Sequence, residues 1–162
     1  MLSFVAIGFL AYNCDNKDVA IMAFAVVGAI TGFLRYNTYP ANIFMGDAGS
    51  QLLGFLSVIF ALVLTQSNTP YSRTLPLLLI GFPIIDTLSV MLERILKGRS
   101  PFKADKQHFH HRLIRFGLFH SEAVLIIYML QTVLISFGIM SRFHSDWVHL
   151  IFFVFLCQAY HC

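Results

Sequence analysis

Six apolar runs separated by short polar breaks leave this chain few folds to choose from. They cover approximately residues 1–12, 19–34, 49–66, 74–94, 121–141 and 147–160. A helix needs roughly 20 predominantly apolar residues to cross a bilayer. Within the hydrocarbon no water satisfies backbone N–H and C=O groups, so each run must bond its own amides along a helix. Charge content argues the same way. Only 12% of the residues are charged, against roughly 25% in soluble domains, and 57% are hydrophobic, 17 of them Phe. The expected fold class is therefore all-α: a polytopic integral membrane protein of about six transmembrane helices, with residues 1–162 forming a single transmembrane domain. The first run lacks the basic leader and small-residue cleavage site of a signal peptide, so it reads as a span or part of one. Cys14, Cys157 and Cys162 have no metal or redox spacing.

Polar breaks fall where turns are needed, at 13–18, at 35–42 with Pro40, at 67–73 with Pro70, and at 142–146. Pro83 lies inside the fourth run and predicts a kink there. The largest break is 94–120, a basic, His-rich loop. It holds seven of the eleven Lys/Arg residues and one acid, Asp105. If the runs alternate direction, the loops at 35–47 and 94–120 share one side. That side carries eight of the eleven basic residues; the other carries Lys17, Arg73 and Arg142. The positive-inside rule puts the richer side in the cytoplasm.

Three constellations could carry chemistry. In the first, Gly46 and Gly49 bracket Asp47 just before an apolar run, preceded by Asn42 and followed by Ser50. Glycine lets backbone approach a ligand closely, and Asp47 offers hard oxygen ligands suited to Mg²⁺ holding a phosphate substrate. Asp47 or Ser50 acting as a helix cap is the competing reading. The second is Asp86, an acid inside an apolar run, which helical spacing sets on one side with Ser89 and Glu93. A bond between helices and a functional role remain equally open for it. The third is the basic loop, with Arg94, Lys106 and Arg112 around His108, His110 and His111. No Cys lies nearby and adjacent His110 and His111 suit one metal poorly, so oxyanion binding fits better than zinc. An anchor on lipid headgroups would explain the charge but not the clustered histidines. His144, His149 and His161 read as interfacial, Trp147 as an aromatic-belt anchor, and 152–155 as lipid-facing or packed surface.

Three runs carry a resemblance: Phe44-Met45-Gly46-Asp47-Ala48-Gly49-Ser50, Pro83-Ile84-Ile85-Asp86-Thr87, and Ser100-Pro101-Phe102 followed by Asp105-Lys106-Gln107-His108-Phe109-His110-His111-Arg112-Leu113. In this order they resemble the C-terminal half of the polyprenyl-phosphate N-acetylhexosamine-1-phosphate transferases, the bacterial undecaprenyl-phosphate enzymes of surface-polysaccharide (lipopolysaccharide O-antigen or cell-wall) synthesis in particular. The resemblance spans roughly residues 30 to 140. It implies transfer of N-acetylhexosamine-1-phosphate from a UDP-sugar to undecaprenyl phosphate with release of UMP, in a bacterial inner membrane, with Mg²⁺ (Mn²⁺ as substitute) as cofactor. It implies Asp47 as the metal ligand and, with His108, His110 and His111, as the catalytic set. Asn42, Gly46, Arg94, Lys106 and Arg112 would bind substrate. The partners expected are undecaprenyl phosphate, a UDP-N-acetylhexosamine, the bilayer and a second copy in a homodimer; nucleic acid is not among them.

The family's N-terminal half also carries an adjacent aspartate pair, and this chain has none. The expectation is a fragment that is inactive alone. A non-catalytic membrane protein, either a transporter subunit or a lipid-binding scaffold, explains the runs but not the shared side of Asp47 and the histidines. The related peptidoglycan-precursor transferases show three consecutive histidines, a run that Phe109 interrupts here.

Overall fold

The computed structural model describes residues 1–38, 40–66, 69, 71–96, 98, 100, 109–115, 117–141 and 146–161, without the side chains of His111 and of 159–161. Every regular element among the described residues is an α-helix. In chain order these are α1 (Leu2–Asn13), α2 (Lys17–Asn37), α3 (Gly46–Gln66), α4 (Leu75–Leu79), α5 (Gly81–Leu96), α6 (Phe109–Arg115), α7 (His120–Met140) and α8 (Asp146–His161). Three of them, α2, α3 and α7, are long and apolar enough to cross a membrane at 21 residues each, or about 32 Å at 1.5 Å per residue. The other expected spans are helical but do not reach that length unbroken. The first run forms the 12-residue α1, the last forms the 16-residue α8, and the fourth is split into α4 and α5.

That split corrects the expected kink. Proline has no N–H and its ring clashes with the carbonyl four residues earlier. For Pro83 that carbonyl belongs to Leu79, where α4 ends. The helix therefore breaks a turn upstream at Ile80, and α5 restarts at Gly81 with Pro83 in its first turn, where a missing donor costs nothing. In a bilayer the freed backbone groups need partners. Gln131 of α7 supplies both: its Nε2 donates to the Leu79 carbonyl at 2.8 Å and its Oε1 accepts from the Phe82 N–H at 3.0 Å. The glutamine is buried.

The core is built around α1. Ile7, Leu10 and Ala11 are fully buried and pack against Val19, Ala20 and Ala23 of α2 and Phe60, Ala61 and Leu64 of α3. The alanines let helix backbones approach, as small residues do where lipid offers no hydrophobic drive. A second cluster joins Leu78, Ile85, Leu134 and Phe153, flanked by a Phe137–Phe152 stack with ring centroids 3.8 Å apart. The 152–155 stretch is thus divided: Phe153 is core, while Val154 and Phe155 are exposed.

One end of the bundle is closed by polar contacts. Tyr71 Oη donates to the Leu10 carbonyl at 3.2 Å. His149 is 0% exposed, which overturns its assignment to the interface. Its Nδ1 lies 2.9 Å from Ser72 Oγ and 3.0 Å from Thr74 Oγ1, and its Nε2 2.8 Å from Ser141 Oγ. Ser72 also donates to the Asp146 carboxylate at 2.6 Å, which holds that carboxyl below its usual range. His144 lies outside the described residues, as does the side chain of His161. Trp147 is exposed at the start of α8.

Candidate functional site

The three constellations belong to the opposite end, where α2 and α5 finish and α3, α6 and α7 begin. Residues from the end of α2 (Leu34, Asn37, Thr38) and the start of α7 (Phe119, His120, Ser121) line one groove there. The loop between α2 and α3 is tied down locally. Asn37 Nδ2 donates to the Ile43 carbonyl at 2.8 Å, and the Asn42 N–H to the Tyr36 carbonyl at 2.9 Å. The Asn42 side chain stays exposed.

Gly46 opens α3 at φ +68°, a left-handed conformation that strains any residue with a Cβ. Gly49 has a different reason: a Cβ there would lie 2.4 Å from Met45 Cγ. Asp47 sits in the first turn of α3, exposed, and its carboxylate makes no hydrogen bond or ion pair with another described residue. Ser50 Oγ is turned back to the Asp47 carbonyl at 2.9 Å, so it does not cap the helix N–H groups. The capping reading therefore loses both candidates, and Asp47 is left as an accessible hard oxygen donor.

Asp86 is half-buried, next to the buried Ser89 and the half-buried Glu93 on the same side of α5. Its Oδ1 accepts from the Phe109 N–H, the first of α6, at 2.9 Å. The acid of α5 thus satisfies a donor that helix geometry leaves orphaned, and it fixes where the His-rich helix starts. The Phe82 and Phe109 rings meet edge-on at 5.7 Å, which packs the same junction from the apolar side. Beneath them lies a cavity of about 260 Å³ lined by Ile85, Leu130, Leu134 and Leu156.

The basic loop is described in part. Arg94 is buried and its guanidinium donates to the Ser100 carbonyl at 3.2 Å, bracing the departure from α5. Asp105, Lys106 and His108 lie outside the described residues. His110 and His111 fall on α6 with Arg112 and Arg115, and Arg112 is half-buried. The His110 ring meets the His120 ring edge-on, centroids 4.7 Å apart. Glu122 Oε2 accepts from the Phe119 N–H at 2.8 Å and sets the start of α7. No group of three His, Cys, Asp or Glu side chains able to cage a metal occurs among the described residues.

Sequence reasoning passed over Gln131 and His120 and read His149 as interfacial. Gln131 and His149 are polar residues in apolar helices, a signal that was available but lost when the apolar runs were read as uniform. His120 gave no signal: its value comes from the turn that brings it against His110.

The chain is similar to known proteins along most of its length. Residues 1–65 match the model of glycosyl transferase family 4. The chain is 36% identical to the undecaprenyl-phosphate alpha-N-acetylglucosaminyl 1-phosphate transferase of Escherichia coli O157:H7, over 98% of this chain and 46% of that protein. It is 38% identical to the probable undecaprenyl-phosphate N-acetylglucosaminyl 1-phosphate transferase of Bacillus subtilis (strain 168), over 93% of this chain and 42% of that protein. For the Haemophilus influenzae relative the figures are 34%, 98% and 47%. The chain thus spans about half the length of the curated relatives it matches. No solved structure matches it. Residues 1–65 are thus similar to glycosyl transferase family 4, and nearly the whole chain is similar to about half of each of these undecaprenyl-phosphate transferases.

Proposed function

We propose that this chain contributes the Asp47 and His-rich walls of an active site that transfers N-acetylhexosamine-1-phosphate from a UDP-sugar to undecaprenyl phosphate. The observation that carries the reading is the common address of two motifs. Gly46-Asp47 opens α3, and the His110 helix, held by Asp86, opens at the same end of the bundle as that loop. The activity named for the relatives supports undecaprenyl phosphate as the acceptor and N-acetylglucosamine-1-phosphate as the group transferred, and the family resemblance of the motifs supplies the UDP-sugar. By the positive-inside rule that end faces the cytoplasm, where a nucleotide sugar is available.

The residues fit a divalent cation. Asp47 is exposed and its carboxylate is not used by any described neighbour. A bound Mg²⁺ would neutralise pyrophosphate charge and favour departure of UMP. The chain's own part is positional. Asp47 would hold the cation, and the imidazole of His110 and the guanidinium of Arg112 would hydrogen-bond phosphoryl oxygens. The apolar helix faces keep the acceptor's tail in the bilayer.

The test is UMP release from UDP-N-acetylglucosamine, with undecaprenyl phosphate and Mg²⁺, in a polypeptide as long as the relatives. Asp47→Asn should lower turnover at least a hundredfold, in the range of an electrostatic group lost from a phosphoryl-transfer site, while expression is kept. Unchanged turnover would remove Asp47 from the metal site. Release without added acceptor lipid would refute the acceptor.

A further inference from the structure

At the end of the bundle opposite Asp47 and the His-rich helix, His149 is buried among the hydroxyls of Ser72, Thr74 and Ser141. The proposed transfer has no use for it. Its hydrogens follow from those of its neighbours. Ser141 Oγ gives its one hydrogen to the Phe137 carbonyl at 2.6 Å, and the Ser141 carbonyl lies 3.1 Å from Nε2. Both of these oxygens only accept, so Nε2 carries a hydrogen. Ser72 gives its own hydrogen to the Asp146 carboxylate at 2.6 Å. Nδ1 therefore faces a Ser72 Oγ that only accepts, at 2.9 Å, and a Thr74 Oγ1 that donates or accepts, at 3.0 Å.

Two complete hydrogen-bond arrangements fit these positions. With a neutral ring, Thr74 donates to Nδ1. With an imidazolium, Nδ1 donates to Ser72 Oγ, Ser72 still donates to Asp146, and Thr74 turns its hydrogen to the Asp146 carbonyl at 3.3 Å. No heavy atom has to move between them. A proton landing on Asp146 reaches the ring in one exchange. The carboxyl gives its hydrogen to Ser72 Oγ as the Ser72 hydrogen passes to Nδ1, which leaves a carboxylate and an imidazolium joined through one hydroxyl. Beyond the ring the path stops, because the Ser141 hydrogen ends on the Phe137 carbonyl.

A buried cation is costly without an opposite charge at hand. The half-buried Asp146, in the first turn of α8, supplies one. Among the described residues the surrounding elements add no other charge to the cluster. Arg73 is exposed, the Tyr71 hydroxyl is on the Leu10 carbonyl, and α4 is wholly apolar. On α7 the ring meets Ser141, and the acids of α5, Asp86 and Glu93, stand toward the opposite end. Arg142 and His144 lie outside the described residues.

We propose that His149, Ser72 and Asp146 form a proton-binding site, in which Asp146 is the counter-charge that lets a buried histidine take up one proton while α8 stays docked. On the sidedness proposed above, the proton comes from outside the cytoplasm. The inference does not depend on the transfer reaction.

The test is 15N NMR of the histidine-labelled 162-residue chain in nanodiscs, with His149→Gln identifying the resonances of His149 among seven histidines. Between about pH 8 and about pH 4, the Nε2–H tautomer should convert to imidazolium by gaining a hydrogen at Nδ1. Amide exchange across 148–150, corrected for its intrinsic rate, should change by less than about threefold during the conversion. Asp146→Asn should move the midpoint down by about one pH unit or more, a tenfold loss of proton affinity. Ser72→Ala alone should also lower it, which carries the test if Asp146→Asn fails to fold. In the Ser72→Ala background, Asp146→Asn should have less than about half of its effect. An Nδ1–H tautomer at neutral pH, a ring that stays neutral throughout the range, or loss of α8 protection on protonation would overturn the proposal. So would a midpoint indifferent to both Asp146→Asn and Ser72→Ala, or an Asp146→Asn effect of equal size with and without the Ser72 hydroxyl.

Discussion

Replacing Gln131 with Leu isolates the one side chain that makes a broken helix tolerable inside the bundle. The change removes two bonds at once, Nε2 to the Leu79 carbonyl at 2.8 Å and Oε1 from the Phe82 N–H at 3.0 Å. Helix geometry provides no substitute. The donor that would ordinarily serve Leu79 is residue 83, a proline. Leaving a buried backbone group unsatisfied costs about 1–3 kcal/mol in water-soluble proteins. Hydrogen bonds between membrane helices average about 0.6 kcal/mol with a maximum near 1.7. Two such bonds bracket the loss at about 1–4 kcal/mol, and a central value of about 2 kcal/mol is roughly a thirtyfold change in the folded-to-unfolded ratio. The assay is reversible unfolding in mixed micelles, with Val133→Leu on the exposed side of α7 as control. Amide exchange at Phe82 reports the break directly and should accelerate by a similar factor. Equal stabilities of the variant and its control, or unchanged exchange at Phe82, would refute the reasoning.

Other expectations follow from the same contacts. Asp86→Leu removes the acceptor for the Phe109 N–H, so exchange across Phe109–Arg115 should rise about tenfold or more. Asp86→Asn, which keeps an acceptor oxygen, should raise it less, and no change in either variant would separate the acid from α6. His149→Leu removes the buried imidazole that joins Ser72 and Thr74 to Ser141, while Ser72 and Thr74 keep Asp146 and Ser141 keeps the Phe137 carbonyl. It should cost about 1–2 kcal/mol in the same unfolding assay, and no measurable loss would mean that the imidazole does not tie α8 to the segment before α4. Asp146 lies at the mouth of α8, and the Ser72 hydrogen bond depresses its carboxyl. A depressed folded-state pKa contributes stability that is complete above the unfolded value of about 3.9 and is lost as pH falls through the folded value. Thermal stability should therefore drop between about pH 5 and pH 2, and Asp146→Asn should reduce that slope; an identical slope would assign the acid sensitivity elsewhere.

The residues show why some of this was legible in the chain and some was not. The apolar runs announced helices because a bilayer leaves backbone amides no other partner, and α2, α3 and α7 appear where those runs lie. The short motifs were legible because Gly46 and Asp47 are neighbours in the chain and the histidines of 108–111 are neighbours of one another, each set within reach of a short pattern. Pro83 announced a defect but not its position. The clash acts on the carbonyl of residue 79, so the break appears at Ile80, and its repair comes from Gln131, 52 residues away from Leu79.

Asp86 shows the limit most clearly. Its cost in an apolar helix is local and could be read from neighbouring residues. Its partner, the Phe109 N–H, is 23 residues further along and is met only when the loop returns. The same holds for His149, which looks interfacial in a linear pattern and becomes the most buried polar side chain among the described residues once α7, α8 and the segment before α4 close over it. Helix content and membrane character arise from interactions within a few turns of chain, so residue order suffices for them. Which polar groups meet depends on contacts between distant helices, and for Gln131, His120 and His149 packing alone supplied the partner.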